Sequence, residues 1–280
     1  MKALLFPGDH QVIVADVPTP EPGPGEVRVA MRAAAVCGSD LHGFRAPAAA
    51  RAATGQDKII PGHEPAGVVD AVGPGVRHVA VGDRVGVYHY RGCGHCAECR
   101  GGRLKWCDQR RGYGGPIDGS DADYLITDEQ NCLPLPDDMS FVTGALLMCV
   151  GGTAFRALAK LGLRWGDSLA VYGLGPVGLA ALRCASAMGI RVIGVDPSEE
   201  RRAIAGGIGA WKVVDGGDHA VAEQILELTG GGACGSLETS GSLAGRRTAV
   251  RAAAHRGRLV CVGSAMQMPR SIPPISSTGN

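Results

Sequence analysis

The sequence predicts an α/β protein of two domains, a barrel-like all-β domain over residues 1–150 and a doubly wound parallel sheet domain over residues 151–280. The first half is rich in proline and glycine and carries short β-type runs between turns. From Gly151 onward, strand-like and helix-like patterns alternate, which is typical of a parallel sheet covered by helices. A glycine-rich motif at the first strand–helix junction of the second half also favours that fold.

Four runs in the first half predict strands, and turn sequences such as "PTPEPGPGE" separate them. The runs are "QVIVADV", "EVRVAMRAAAV", "PAGVVDAVG" and "GDRVGVY". In the second half, five strands are predicted at "DSLAVY", "IRVIGVD", "WKVVD", "GSLETS" and "GRLVCVG". Four helices are predicted between them, at "PVGLAALRCASAMG", "SEERRAIAGGIGA", "HAVAEQILELTG" and "LAGRRTAVRAAAH".

Composition excludes several classes of protein. Hydrophobic residues are 45% and charged residues 20% of the chain, and the formal net charge is +1, so no basic surface predicts nucleic acid or an anionic membrane as a partner. The apolar start "MKALLF" is too short for a signal peptide, and we expect no run long enough to span a bilayer. The predicted location is the cytoplasm, where clustered cysteines are more often metal ligands than disulfides.

Four cysteines in the glycine-rich stretch 91–107 predict a structural zinc site. They are Cys93, Cys96, Cys99 and Cys107. Four thiolates at this spacing complete a tetrahedral zinc with no open position, and the metal then replaces a hydrophobic core for the lobe. The alternatives are two disulfides, which need an oxidising compartment, or four free thiols, which are prone to oxidation in an exposed loop.

The run "GLGPVG" forms a G-x-G-x-x-G motif with Gly173, Gly175 and Gly178. A predicted strand precedes it, a helix follows it, and a second strand ends at Asp196, 23 residues after Gly173. This context predicts a dinucleotide whose pyrophosphate lies at the helix N-terminus. Asp196 favours NAD because it accepts ribose hydroxyls and repels a 2′-phosphate, although Arg201 and Arg202 weaken that preference. A glycine-rich turn without a ligand is the alternative.

Three further segments carry candidate metal ligands: "VCGSDLH" at 36–42, "PGHEPAG" at 61–67 and "MCVGGT" at 148–153. Taken singly, each of these residues has an ordinary structural interpretation: Cys37 is a buried thiol, His63 a core histidine, Glu64 a surface charge and Cys149 a packing residue. Together they supply two thiolates, an imidazole and a carboxylate. Three such ligands with one open position make a catalytic zinc site.

With these motifs in this order, the chain resembles the zinc-dependent medium-chain alcohol dehydrogenases. The resemblance rests on "CGSDLH", "GHEPAG", "VGDRV", the four-cysteine lobe, "CVGGT" and "GLGPVG", and it covers essentially the whole chain. It implies a GroES-like catalytic domain over 1–150, with a structural zinc lobe at 91–107, and a Rossmann NAD-binding domain over 151–280. It also implies two zinc ions per chain and hydride transfer between an alcohol and NAD, the zinc acting as a Lewis acid.

The resemblance also implies roles for single residues. Cys37, His63 and Cys149 would hold the catalytic zinc, with Glu64 beside it as a ligand in some states. Ser39 would contact the substrate oxygen, His42 would pass the proton to solvent, and Asp40 would orient the site. The remaining expected cofactor contacts are Thr153, against the nicotinamide, Arg201, near the adenosine ribose, and Pro176, Val177 and Val262.

Two departures from the family pattern affect the expected function. Gly38 replaces a basic residue that some members have, and "CGSD" is frequent in polyol dehydrogenases, so the sequence favours a polyol or another secondary alcohol. Only 17 residues follow Gly263, and they form a polar, proline-rich tail where relatives continue for longer. The chain is thus either naturally compact or shortened, and we expect weak association and low turnover. The alternatives to a zinc dehydrogenase are a non-catalytic member and a zinc-free enone or quinone reductase.

Overall fold

The computed structural model describes residues 1–263. The chain divides into two compact units, of which the first is Met1–Gly152 and the second begins at Thr153. The prediction of a polar, proline-rich tail after Gly263, with prolines at Pro269, Pro273 and Pro274, concerns residues outside the described part of the chain.

The first unit is built on a five-stranded antiparallel sheet. Its strands, with those of two small pairs, are β1 (Lys2–Gly8), β2 (Gln11–Asp16), β3 (Glu26–Ala34), β4 (Pro65–Val72), β5 (Arg84–Val87), β6 (Tyr90–Arg91), β7 (Arg111–Gly112), β8 (Tyr124–Asp128) and β9 (Cys132–Pro134). The five-stranded sheet has the order β8-β3-β4-β5-β9, while β1 pairs with β2 and β6 pairs with β7. The helices of this unit are α1 (Asp40–Arg45), α2 (Ala48–Thr54), α3 (Ala97–Arg100) and α4 (Phe141–Leu146).

Alternation along the central strand β3 creates the core of this unit. Val27 and Val29 are fully buried, whereas Arg28 between them reaches the opposite side and pairs with Asp70. The two valines pack with apolar residues of β4, β5 and β8. Strand β4 continues directly from the "PGHE" segment, so this core holds the base of the candidate metal site in place.

The four runs predicted as strands correspond to β2, β3, β4 and β5. The sequence analysis did not assign β1, β8 or β9. Ala3 and Phe6 of β1 are buried, and the strand forms a hairpin with β2. Short strands such as β9 are stabilised by their neighbours, so local sequence patterns do not reveal them.

The second unit is a five-stranded parallel sheet with helices on both faces. Its elements are α5 (Gly152–Leu161), β10 (Ser168–Tyr172), α6 (Pro176–Ala187), β11 (Arg191–Asp196), α7 (Glu199–Gly207), β12 (Lys212–Asp215), α8 (Val221–Thr229), β13 (Ala233–Glu238), α9 (Leu243–Arg251) and β14 (Ala253–Cys261). The strand order is β12-β11-β10-β13-β14. Every residue of β10 is buried, because α5, α6 and α7 pack on one face of the sheet and α8 and α9 on the other.

The strand order reverses at β10, which pairs with β11 on one side and β13 on the other. In such sheets the crevice at the carboxyl ends of the central strands is the usual binding site for a ligand. The predicted glycine-rich run follows β10 at that edge of the sheet.

One predicted boundary in the second unit is wrong. The helix expected through His255 ends at Arg251, and the next residues already belong to β14. Ala253 pairs with Ala233 of β13, and the register then shifts around Arg256, whose φ of 66° is left-handed. Tertiary strand pairing therefore overrides the alanine-rich local pattern that predicted helix.

The expectation that no segment reaches membrane-spanning length needs correction. Helix α4, a wide turn and α5 run continuously from Phe141 to Leu161, and this helix is 21 residues long with a mean hydropathy of 1.6. Arg156 and Lys160 interrupt the apolar run in the sequence, but the mean hydropathy of the helix remains that of an apolar segment. Core helices of proteins outside membranes have the same length and composition, and Leu158 and Leu161 are buried against the second sheet.

Candidate metal centres and cofactor site

Four potential metal ligands converge in the first unit. The ligand atoms of Cys37, His63, Glu64 and Cys149 all lie within 4.8 Å of one another. Up to 112 residues of sequence separate these residues, so the fold alone brings them together. The structure thus assembles the complete set that the scattered motifs predicted.

Each ligand lies at the end of a regular element. Cys37 lies in the turn between β3 and α1, and His63 and Glu64 immediately precede β4. Cys149 lies in Leu147–Gly151, a single turn of π-helix that continues α4. Such wide turns are frequent at functional sites because they redirect side chains that a regular helix would point elsewhere.

Asp40 connects two of the ligands. Its Oδ1 lies 3.0 Å from Nδ1 of His63, and its Oδ2 accepts the backbone N–H of Cys37 at 2.8 Å. A carboxylate at Nδ1 fixes the orientation of an imidazole and increases the basicity of its other nitrogen. Nε2 of His63 lies 3.5 Å from the hydroxyl of Ser39. The predicted orienting role of Asp40 thus has a direct geometric basis.

The electrostatics of this cluster suit a divalent cation. Two hydrogen bonds, a larger contribution from Cys149 and a smaller one from His63, lower the pKa of the Cys37 thiol to about 2. Burial lowers the pKa of His63, but hydrogen bonds with Asp40 and Cys37 outweigh it and raise that pKa to about 10. A thiol that ionises this readily is a strong ligand for a soft divalent metal.

Glu64 also fits a metal site. Its side chain is 1% exposed, and Oε1 has no hydrogen-bond partner. Burial, followed by the charge of Cys37, raises the pKa of Glu64 to about 7. A bound cation would supply the missing partner for this carboxylate.

The four cysteines of the lobe form a second cluster, whose sulfur atoms also lie within 4.8 Å of one another. The sulfurs of Cys93 and Cys99 are 4.0 Å apart, and the sulfur of Cys96 accepts the N–H of Cys99 at the start of α3. None of the ten cysteines, all of which lie within the described residues, forms a disulfide. Four converging sulfurs that accept backbone N–H groups fit a tetrahedral metal better than the disulfide alternative.

The glycine-rich run forms a tight turn between β10 and α6. Gly173 has a φ of 90°, and a Cβ on Gly178 would lie 2.0 Å from the carbonyl oxygen of Gly173. Beside Gly175, in contrast, a Cβ would meet no atom within 4 Å. Two glycines are thus required by the turn itself, while the third leaves open space beside the first turn of α6, where a pyrophosphate would approach.

Asp196 ends β11 and is 3% exposed. Its carboxylate accepts the N–H groups of Leu174 at 2.7 Å and of Ser198 at 2.9 Å, and Arg201 lies 3.6 Å away. Because two carboxylate oxygens accept about four hydrogen bonds, capacity for ribose hydroxyls remains. Asp196 therefore also organises the glycine-rich turn, a role that the sequence analysis did not predict.

The structure separates the remaining predicted residues by unit. His42 is an exposed residue of α1, three residues after Ser39. Thr153 lies in α5, Pro176 and Val177 open α6, and Val262 follows β14, where its N–H donates to Glu238 at 2.8 Å.

Sequence reasoning left His89 without an assigned role. Its ring lies 6.1 Å from the ring of His63, and its Nδ1 lies 2.8 Å from the carbonyl oxygen of Met148. That carbonyl accepts, so Nδ1 carries the hydrogen and Nε2 is the unprotonated nitrogen of the neutral ring. Its position before the cysteine lobe is the only signal in the sequence for this placement.

Comparison with known proteins identifies the family of this chain. Residues 23–137 match the family model "Alcohol dehydrogenase GroES-like domain", and residues 176–278 match "Zinc-binding dehydrogenase". The chain is 40% identical to the "Uncharacterized zinc-type alcohol dehydrogenase-like protein YphC" of Escherichia coli K12, over 94% of this chain and 77% of that protein. The chain belongs to the zinc-type medium-chain alcohol dehydrogenase family.

Two solved structures show the same fold as this alcohol dehydrogenase family member. Alcohol dehydrogenase TADH from Thermus sp. ATN1 is 29% identical with a TM-score of 0.89, covering 99% of this chain and 81% of that one. Galactitol-1-phosphate dehydrogenase from Escherichia coli is 28% identical with a TM-score of 0.86, covering 97% and 78%. The predicted family and the predicted fold class, a GroES-like domain and a Rossmann domain, are confirmed, and the protein is an oxidoreductase of this family.

Proposed function

We propose that this chain is a zinc-dependent dehydrogenase that transfers hydride between an alcohol and NAD. The observation that carries the proposal is the convergence of Cys37, His63, Glu64 and Cys149 within 4.8 Å. A zinc-free enone or quinone reductase has no use for such a cluster, and a non-catalytic member would not need its low-pKa thiol. The proposed cofactors are two zinc ions, one for each cluster, and NAD.

In the proposed mechanism, the first unit binds and orients the alcohol. A zinc ion held by Cys37, His63 and Cys149 would supply Lewis acidity, with Glu64 within reach as a further ligand. Ser39 lies at the edge of the cluster, where its hydroxyl can accept the proton of the substrate alcohol while it releases its own proton toward solvent. His42 is exposed one turn further along α1 and is suited to pass that proton to water.

The second unit would hold the nicotinamide cofactor. The N–H groups at the start of α6 bind the pyrophosphate beside Gly175, and Thr153 and Val262 are proposed to contact the nicotinamide. The protein supplies binding and orientation, while the nicotinamide accepts or donates the hydride.

NAD is favoured over NADP by the surroundings of Asp196. Its buried carboxylate lies where a 2′-phosphate would add a second negative charge. Arg202 does not offset this repulsion, because its guanidinium already pairs with Asp215 at 3.3 Å and donates to the carbonyl groups of Asp196 and Pro197. Arg201 is exposed and lies 3.6 Å from Asp196, so it would rest against the ribose.

A polyol or another secondary alcohol is the proposed substrate class. The "CGSD" run favours it, and a structural relative is named for galactitol 1-phosphate. Tyr88, His89 and Tyr90 form a chain of ring contacts that reaches His63, which gives the metal cluster polar aromatic neighbours. We propose a small-molecule partner without nucleic acid or membrane, and a cytoplasmic location.

The test is an NAD-coupled screen of polyols, sugars and simple alcohols with zinc-replete protein. We expect NADH formation with one or more polyols or secondary alcohols at higher kcat/KM than with primary monoalcohols. Preference for primary monoalcohols would overturn the substrate class, and the absence of turnover with every alcohol and carbonyl would overturn the dehydrogenase itself.

A further inference from the structure

Two neighbouring side chains beside the candidate catalytic centre, Ser120 and Asp121, are buried with unpartnered oxygen atoms. Asp121 is 8% exposed and Ser120 is 1% exposed. Asp121 Oδ2 and Ser120 Oγ have no hydrogen-bond partner in the described part of the chain. A buried carboxylate oxygen without a partner is costly, so its presence requires a physical explanation.

Backbone hydrogen bonds attach this pair to the loop that carries His63. The N–H of Ser120 donates to the carbonyl of Gly62 at 3.1 Å, and the N–H of Asp121 donates to the carbonyl of Pro61 at 3.0 Å. His63 follows Gly62 directly. The position of the Asp121 carboxylate is therefore set relative to the backbone of a proposed metal ligand.

Gly62 makes room for both side chains. Its φ is 93°, and a Cβ at this position would lie 2.1 Å from Oδ1 of Asp121 and 2.7 Å from Oγ of Ser120. A charged oxygen and a neutral oxygen thus approach the same point on the loop. This arrangement provides a matched pair of side chains, alike in place and burial but different in charge.

The negative charge of Asp121 has no cation of its own. Among the described residues, no Lys, Arg or His nitrogen lies within 4.0 Å of its carboxylate. Asp40 and His63 are the ionisable groups that act on this carboxylate. Burial has the largest effect on the pKa of Asp121 and raises it, and the charge of Asp40 raises it further. His63 opposes these effects, and the resulting pKa is about 6. Nδ1 of His63 is already engaged by Asp40 at 3.0 Å.

We propose that Asp121 is a positioning residue for the candidate catalytic centre, where its charge behind the His63 loop strengthens the binding of a divalent cation. A fixed negative charge in a low-dielectric interior favours a cation nearby, and groups behind the ligands commonly change metal affinity by about 10–100-fold. The inference rests on the zinc site of the proposed function. It adds a second carboxylate, besides Asp40, to the support of His63.

Zinc competition against a chelator in the full chain tests the proposal. Asp121→Asn removes the charge and keeps the shape, Ser120→Ala removes the neutral oxygen at the same place, and His63→Ala serves as the reference for a lost site. We expect Asp121→Asn to weaken zinc binding at this centre by about tenfold and Ser120→Ala to change it by less than about twofold. Zinc in the cysteine lobe stays bound in all three variants.

Cobalt substitution separates a charge effect from a structural one. Difference spectra against His63→Ala isolate the bands of this centre, and we expect Asp121→Asn to keep the wild-type band positions at lower affinity. If this variant melts early, Asp121→Ser takes its place in the same comparison. Wild-type affinity in the charge-free variant, or shifted bands, overturns the role of Asp121 alone. Zinc content identical in wild type and His63→Ala overturns the proposed function instead.

Discussion

Glu64 illustrates how burial of a single residue determines a pH dependence. Its folded-state pKa of about 7 lies above the ordinary 4.5, chiefly because of burial. The folded protein therefore binds the Glu64 proton more tightly than the unfolded chain. The resulting stability is complete below pH 4.5 and is lost as the pH rises through about 7.

Glu64→Gln should remove this dependence from the metal-free protein. We expect the free energy of unfolding of the variant to exceed that of wild type at pH 8 by up to about 3 kcal/mol, with the difference shrinking toward pH 5. Cys37 and His63 are present in both proteins, so the difference between the two pH profiles reports Glu64 together with its coupling to these neighbours. Urea unfolding at several pH values measures it, and parallel curves for the two proteins would contradict the assignment.

Asp196 combines two functions in one side chain, so its replacement should have two effects. Asp196→Ala removes the proposed ribose acceptor and also the acceptor for the N–H groups of Leu174 and Ser198. We expect weaker binding of both dinucleotides and a shift of the affinity ratio toward NADP. Fluorescence titration gives both affinities, and Glu227→Ala, at an exposed position of α8, is the control that should leave the ratio unchanged. Tighter binding of NADP by wild type would refute the interpretation of Asp196.

At the scale of elements, the cysteine lobe shows structure held without a core. Between Arg91 and Cys107 the regular elements are the last residue of β6, the four-residue α3 and one turn of 3₁₀ helix, and Cys99 and Cys107 are the buried side chains. Cys99→Ser should therefore release the lobe zinc and increase protease cleavage between residues 91 and 107. Zinc analysis and limited proteolysis test this, with the exposed Cys261→Ser as the control. Unchanged zinc content would show that the lobe does not depend on metal.

The strand–turn–helix element β10–α6 offers another matched comparison. Gly178→Ala forces a Cβ to within 2.0 Å of the carbonyl oxygen of Gly173, and we expect it to destabilise the protein by about 1–3 kcal/mol. Gly175→Ala meets no atom within 4 Å, so thermal stability should stay near wild type. Dinucleotide affinity of the Gly175 variant should nevertheless fall by about tenfold or more, because the methyl group occupies the path of the pyrophosphate. Scanning calorimetry compares the thermal stability of the two variants, and titration calorimetry gives their affinity for the dinucleotide. An unchanged dinucleotide affinity of the Gly175→Ala variant would show that the pyrophosphate binds elsewhere.

For the whole molecule, the two compact units separate metal binding from cofactor binding. The four proposed catalytic ligands belong to Met1–Gly152, and the glycine-rich turn belongs to the second unit. We expect His63→Ala to lower turnover by roughly a thousand-fold or more while NAD still binds. Gly175→Ala should show the reverse pattern, with zinc retained and NAD binding weakened by about tenfold or more. Near-wild-type turnover in His63→Ala would exclude catalysis through this residue.

Short motifs in the sequence indicated the chemistry, because metal ligands and phosphate-binding turns depend on residue type and short spacing. The four-cysteine lobe and the glycine-rich run are local, so their motifs predicted the convergence of the four sulfurs and the tight turn. The β-α alternation likewise predicted the parallel sheet of the second unit, because each of its strands and helices carries its own periodic pattern.

The way in which distant residues combine depends on the packing of the whole chain. Cys37, His63 and Cys149 come together because the end of β3, the start of β4 and the π turn after α4 lie at one place, and no local pattern encodes that proximity. The same holds for Asp196 binding Leu174. The place of the Asp121 carboxylate behind Gly62 is likewise absent from any local pattern, because the burial and the hydrogen bonds of a side chain are set only when the chain has packed.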